Sequence, residues 1–186
     1  MTETLDVIAA RYSVRNFADK AVPREVLDQI ADAALRAPSA RDSEPWHFIF
    51  VTDPTVVAQM EEYGLATLKA TDQVGYERTL SRGGKLYYGA PVLLVITAEP
   101  REGIASSGLD VGIAVGTIAI AAKALGVDSC IVASIPGAII DRETQGPYAQ
   151  LNIPAGHRPA MGILLGYEAG EPRPQHAIHP EKVTFI

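Results

Sequence analysis

Apolar residues along this chain recur in two rhythms. Val26, Leu27, Ile30, Ala31, Ala34 and Leu35 fall at helical spacing. Pro23 precedes them where a missing N–H costs little, and Pro38 ends the run. Thr4–Ala10 predicts a short helix before it. Asp53-Pro54 opens another, with Val56, Val57, Met60 and Tyr63 on its apolar side. Residues 64–89 mix Gly, Lys, Arg, Thr and Tyr and predict a helix with mobile flanks. Continuous apolar runs predict buried strands at His47–Thr52, Val92–Thr97 and Pro159–Gly166, and a short strand or extended turn at Asp128–Ala133.

Ser107–Leu125 is almost wholly apolar or small, and Gly126 stands where a helix C′ glycine belongs. The length invites a membrane span, but Asp110, Lys123 and three glycines point to a buried central helix. Gly108, Gly112 and Gly116 share one stripe, which admits a close-packed backbone. That neighbour is either another segment of the chain or the same helix of a second copy. The tail from Glu168 to Pro180 is rich in Pro and His. The β-prone Lys182–Ile186 after it must find a sheet edge, and donation to a partner subunit would provide one.

Length and charge narrow the class. With 186 residues, a single domain over 1–186 is expected. A net charge of -6 argues against a nucleic-acid or anionic-membrane surface. One cysteine, Cys130, builds neither a disulfide framework nor a Cys-rich metal site. Its apolar setting suggests a buried thiol. The acidic, polar start lacks the pattern of a secretory signal, so a cytoplasmic location is expected. The four histidines form no metal set; His47 is isolated in sequence.

Two segments carry the candidate chemistry. Arg11, Ser13 and Arg15 alternate, so an extended backbone would point them to one side. Two guanidiniums and a hydroxyl suit a phosphate or another oxyanion. Spacing alone favours the alternative, a solvated surface triplet. Pro38-Ser39-Ala40 follows a helix, and such a turn either packs on a planar ligand or simply stops the helix. Trp46 is expected to fill core. No Walker A loop, G-x-S-x-G or strand-borne G-x-G-x-x-G is present.

Taken in order, these segments resemble the nitroreductase family of FMN-dependent oxidoreductases. The pattern R-x-S-x-R/K-x-F is met by Arg11, Ser13, Arg15 and Phe17. The pattern A-P-S-x-x-N-x-Q-P-W is met by Ala37, Pro38, Ser39, Pro45 and Trp46. Gly89-Ala90-Pro91, the Gly/Ala-rich helix, Gly126 to Cys130 and Leu164 to Tyr167 follow in register.

The resemblance implies an α+β fold: a central, mostly antiparallel sheet flanked by helices, with the C-terminal strand exchanged in a homodimer. It also implies FMN sites at the dimer interface. Arg11 and Ser13 would hold the phosphate end, and Arg15 would lie near the pyrimidine edge. There a fixed cation stabilises the negative charge of the reduced ring. Pro38, Ser39 and Ala40 would come from the other subunit. The stretch containing Val132, Ala133 and Ser134 would bring a backbone N–H towards the flavin N5. The implied reaction is ping-pong hydride transfer from NADH or NADPH to a nitroaromatic, quinone or similar small electron acceptor. Flavin fragmentation, reductive dehalogenation or non-enzymatic flavin binding are the alternatives on the same fold. No catalytic side chain is implied, because the cofactor carries the chemistry.

Three departures from the pattern stand out. Asp42 replaces the usual Asn and Glu44 the usual Gln, which places anions near the ring unless Arg41 or Arg15 pairs with them. The family's C-terminal phosphate-binding cation is absent, leaving Arg173, His176 or His179 as substitutes. A histidine there would make FMN retention pH-dependent.

Overall fold

Strand β2, Val92–Ala98, is buried at every position. It pairs antiparallel with β1, Trp46–Val51, on one side and with β4, Arg158–Gly166, on the other. Strand β3, Asp128–Val132, pairs antiparallel with β4, so the sheet order is β1-β2-β4-β3. The computed structural model describes residues 3–103, 106–133, 146–172 and 177–186.

The two faces of β2 serve two cores. Val92, Leu94, Ile96 and Ala98 join one, with Leu27, Ile30, Val111, Ile118, Ile163 and Leu165. Leu93 and Val95 join the other, with Met60, Tyr87, Tyr148, Cys130 and Leu164. The period of two along a strand forces this division, and coverage of both faces explains why the strand reads as uninterrupted apolar sequence. Each fully buried Leu or Ile contributes roughly 1.5–3 kcal/mol relative to exposure.

Helix α2, Arg24–Leu35, and helix α5, Ser107–Ala124, pack on the first face. Helix α1, Glu3–Ala10, lies against α5. Helix α3, Pro54–Thr71, covers the second face and starts at Asp53, whose carboxylate accepts from the Thr55 N–H at 2.8 Å. Helix α5 ends in a Schellman motif: Gly126, at φ 74°, donates to Lys123 O, and Val127 donates to Ala122 O.

Two expectations are corrected. Residues 64–89 do not hold one helix of their own. The first part continues α3, and a second helix, α4, spans Gln73–Ser81. The break falls at Asp72, with φ -145°, whose carboxylate caps α4 by accepting from the Gly75 N–H at 2.9 Å. The following segment is anchored: Tyr87 is buried, its N–H donates to Glu61 at 3.0 Å, and its hydroxyl lies 3.4 Å from that of Tyr148. Burial pushes the Tyr87 phenol well above its ordinary pKa.

Helix α5 is buried on one face only. Leu109 and Ile113 are 58% and 45% exposed, and a Cβ added at Gly108, Gly112 or Gly116 would meet nothing within 4 Å. The described residues of the chain therefore do not fill the glycine stripe. The tail finds no sheet edge in its own chain: among the described residues Val183–Ile186 pairs with no strand, and Phe185 is 93% exposed.

Candidate active site: a strap on one sheet edge, a turn beside the other

Residues 11–17 form an extended strap along β3. Ser13 bridges Ser129 in parallel, and the Val14 N–H donates to Ser129 O at 3.0 Å. Phe17 bridges Glu168, and its N–H donates to Tyr88 O. Alternation then sorts the side chains. Val14 is fully buried, while Arg11 and Ser13 are half-buried and Arg15 is exposed. Phe17 is buried because Gly166 leaves room; a Cβ there would lie 2.9 Å from its ring. Tyr12 donates to Glu168, and Asp128 receives both Lys123 and the Glu168 N–H at 2.9 Å.

Arg11 and Arg15 form no ion pair among the described residues. Two free guanidiniums beside one hydroxyl match a phosphate or an electron-rich ring edge in charge and donor type. Val132 ends β3 next to them, and Ala133 begins the bend that follows. Cys130 lies under the strap, 1% exposed. Burial raises its thiol pKa, against smaller lowering influences from Arg15 and a Ser13 hydrogen bond.

The second segment is a left-handed turn. Arg41, Asp42 and Glu44 have φ of 59°, 54° and 38°. Asp tolerates that region through its short polar side chain; Arg and Glu are strained there. Ser39 closes the turn: its hydroxyl accepts from the Glu44 N–H at 3.0 Å and its carbonyl from the Asp42 N–H at 3.2 Å. Pro38 is exposed and Ala40 half-buried. Trp46 fills core, as expected.

A residue that sequence reasoning passed over holds this turn. Asp110, on the first turn of α5, is 2% exposed. One carboxylate oxygen accepts from the Ala40 N–H at 2.8 Å, and the other pairs with Arg101 at 3.2 Å. The Arg101 Nε is itself buried, with no hydrogen-bond partner among the described residues. The only sequence signal was an acid inside an otherwise apolar helix.

Other expectations are revised. Neither Arg41 nor Arg15 pairs with Asp42 or Glu44 among the described residues, so both acids stand exposed and uncompensated. His47 is not isolated: its ring meets His157 edge-on at 6.3 Å, and the His157 Nδ1 lies 3.2 Å from the Thr97 hydroxyl. His179 pairs with Glu181 at 2.9 Å on the exposed tail. Ser134, Arg173 and His176 lie outside the described residues.

The strap lies along β3 and the turn leads into β1, at opposite edges of the sheet. Three strand spacings, roughly 14 Å, separate those edges. One chain thus presents the two motif segments at separate places. Their order along the chain, on this fold, matches the family profile of the nitroreductases over residues 8–167. The chain belongs to the nitroreductase family.

A crystal structure of a nitroreductase with bound FMN from Desulfitobacterium hafniense DCB-2 is similar throughout. It has a TM-score of 0.89 and 34% identity, covering 100% of this chain and 99% of that one. A putative NADH dehydrogenase/NAD(P)H nitroreductase of Methanothermobacter thermautotrophicus is 28% identical over 183 residues, 97% of this chain and 85% of that protein. Iodotyrosine deiodinase 1 of Sus scrofa is 27% identical over 91% of this chain, which spans 62% of its length. The nitroreductase fold inferred from the motifs is the fold of the chain.

Proposed function

We propose that the protein is an FMN-dependent NAD(P)H oxidoreductase acting as a homodimer on small electron acceptors. The observation that carries this is a pair of guanidiniums, Arg11 and Arg15, that form no ion pair among the described residues and alternate with Ser13 on a strap bridged to β3. Bound there, FMN would supply two-electron transfer between a nicotinamide and an acceptor. Arg11 and Ser13 would bind its phosphate. Arg15 would neutralise the anionic edge of the reduced ring, with the backbone around Val132 and Ala133 beside it. His179, or Arg173 or His176, would complete the phosphate contacts.

A second copy completes the site in this proposal. Pro38, Ser39 and Ala40 would reach the partner's flavin, because their own chain holds them at the far sheet edge. The exposed apolar face of α5 around Leu109 and Ile113, its open glycine stripe, and the exposed Phe185 and Ile186 support this pairing. Dehalogenation is the second reading, favoured by the deiodinase relative, but that protein is longer than this chain.

Reconstitution with FMN followed by anaerobic titration with NADH and NADPH tests the proposal. A yellow dimer that bleaches with either nucleotide is expected. Arg11→Ala should weaken FMN binding about 30-fold, the loss of one charge-assisted phosphate contact. A colourless monomer indifferent to FMN would refute the assignment.

A further inference from the structure

A cavity of about 500 Å³ opens beside the strap. Its lining includes Leu68 and Asp72 from the end of α3, Arg78 of α4, then Arg82, Lys85 and Ala133. Arg78 and Arg82 are four residues apart and so share one helix face. Arg82 caps the C-terminus of α4, where the helix dipole favours a cation. None of the three cations forms an ion pair among the described residues. Asp72, the one acid in the wall among the described residues, is engaged in capping α4.

Exposed cations ordinarily serve a solvated surface. Two features distinguish these. In a chain of net charge -6, three of them converge on one concave space. That space also reaches the strap: Ala133 directly follows the end of β3, and Tyr88, another lining residue, accepts from the Phe17 N–H. The wall is held in place by Tyr87 on Glu61. A concave cationic groove focuses potential on an anion more strongly than scattered surface charges do.

We infer that Arg78 and Arg82 form an anion subsite that selects substrates bearing a carboxylate or phosphate. This rests on the flavin reading of the strap, since only a flavin there makes the cavity a substrate site. The anion has two possible sources, a carboxylated aromatic acceptor or the phosphates of the nicotinamide donor. Lys85 contributes to the field of the same groove.

The test uses FMN-reconstituted protein, wild type and the Arg78→Gln/Arg82→Gln double variant. Two ratios of kcat/KM are read: 4-nitrobenzoate against its methyl ester, and NADPH against NADH. The double variant should lower one ratio about tenfold, as expected for two exposed charge contacts. A fall in the first ratio assigns the subsite to the acceptor, and a fall in the second to the donor. Raised salt should lower the same ratio in wild type and leave the variant flat, and Arg78→Lys/Arg82→Lys should restore most of it. A yellow protein, reduced by NADH, with both ratios unmoved by substitution overturns the subsite alone. A protein that takes up no FMN overturns the flavin reading and the subsite with it.

Discussion

The strap at residues 11–17 and the turn at 39–44 are built by opposite strategies. Backbone hydrogen bonds to Ser129 and Tyr88 hold the strap, and no residue in it has a positive φ. Two isolated bridges, Ser13 to Ser129 and Phe17 to Glu168, tie it beside the sheet. The turn has three residues in the left-handed region and borrows a side chain 70 positions away, Asp110, to hold its Ala40 N–H. The difference teaches how a short motif acquires rigidity. A strand edge supplies regular partners, whereas a turn between helix and strand needs a buried charge to fix it.

The sharpest way to break the comparison is Asp110→Asn. Removing a 2%-exposed carboxylate leaves the Arg101 guanidinium with no counter-charge, at a cost of about 3 kcal/mol. For a chain of this size that lowers the Tm by roughly 6–12 °C. Thermal melts of the variant read the cost directly. If they match wild type, the turn needs an acceptor at position 110 but no buried charge, and the contrast with the strap weakens.

Arg41→Gly has a smaller effect of opposite sign. Relief of a non-glycine residue at φ 59° should offset the extra chain entropy of glycine and leave a net gain of about 0.5–1 kcal/mol. Urea midpoints measure it. Loss of stability instead would mean that Arg41 packs favourably enough to outweigh its backbone.

The smallest effect concerns the strap. The folded thiol of Cys130 has a raised pKa, so below the ordinary thiol range both folded and unfolded chains keep the proton and stability is unaffected. Above about pH 8.5 the unfolded chain loses its proton first, and stability falls as pH rises. The slope is at most about 1.4 kcal/mol per pH unit. Cys130→Ala should remove this contribution, seen as a shallower decline of urea midpoints between about pH 8.5 and 10. An unchanged decline would show that Cys130 titrates alike in both states.

Much of the fold was legible because its signals are local. Three strands read as apolar runs, most plainly β2, which is covered on both faces, while β3 read as a short strand or extended turn. The ends of α2 and α5 were marked by Pro23 and Gly126. The division at Asp72 was not legible: a capping acid within a polar stretch looks like any surface Asp until Gly75 donates to it. The strap residues were legible as an alternating set, but the same spacing suits a solvated triplet. The bridge from Ser13 to Ser129, which fixes the backbone of this set, was not legible, because it joins residues far apart in sequence.

By itself, then, the amino-acid order determined the apolar strands, the ends of α2 and α5, the family motifs and the residue types available to bind an anion. Each of these depends on neighbours a few positions apart, where periodicity and backbone sterics act. The strand order β1-β2-β4-β3 was decided by the tertiary structure. That order puts the strap and the turn on different edges, places Asp110 under Ala40, and turns Arg78 and Arg82 towards Ala133. Those relations join residues tens of positions apart. Burial of two apolar sheet faces selects them, and no local pattern in the chain encodes which distant segments will meet.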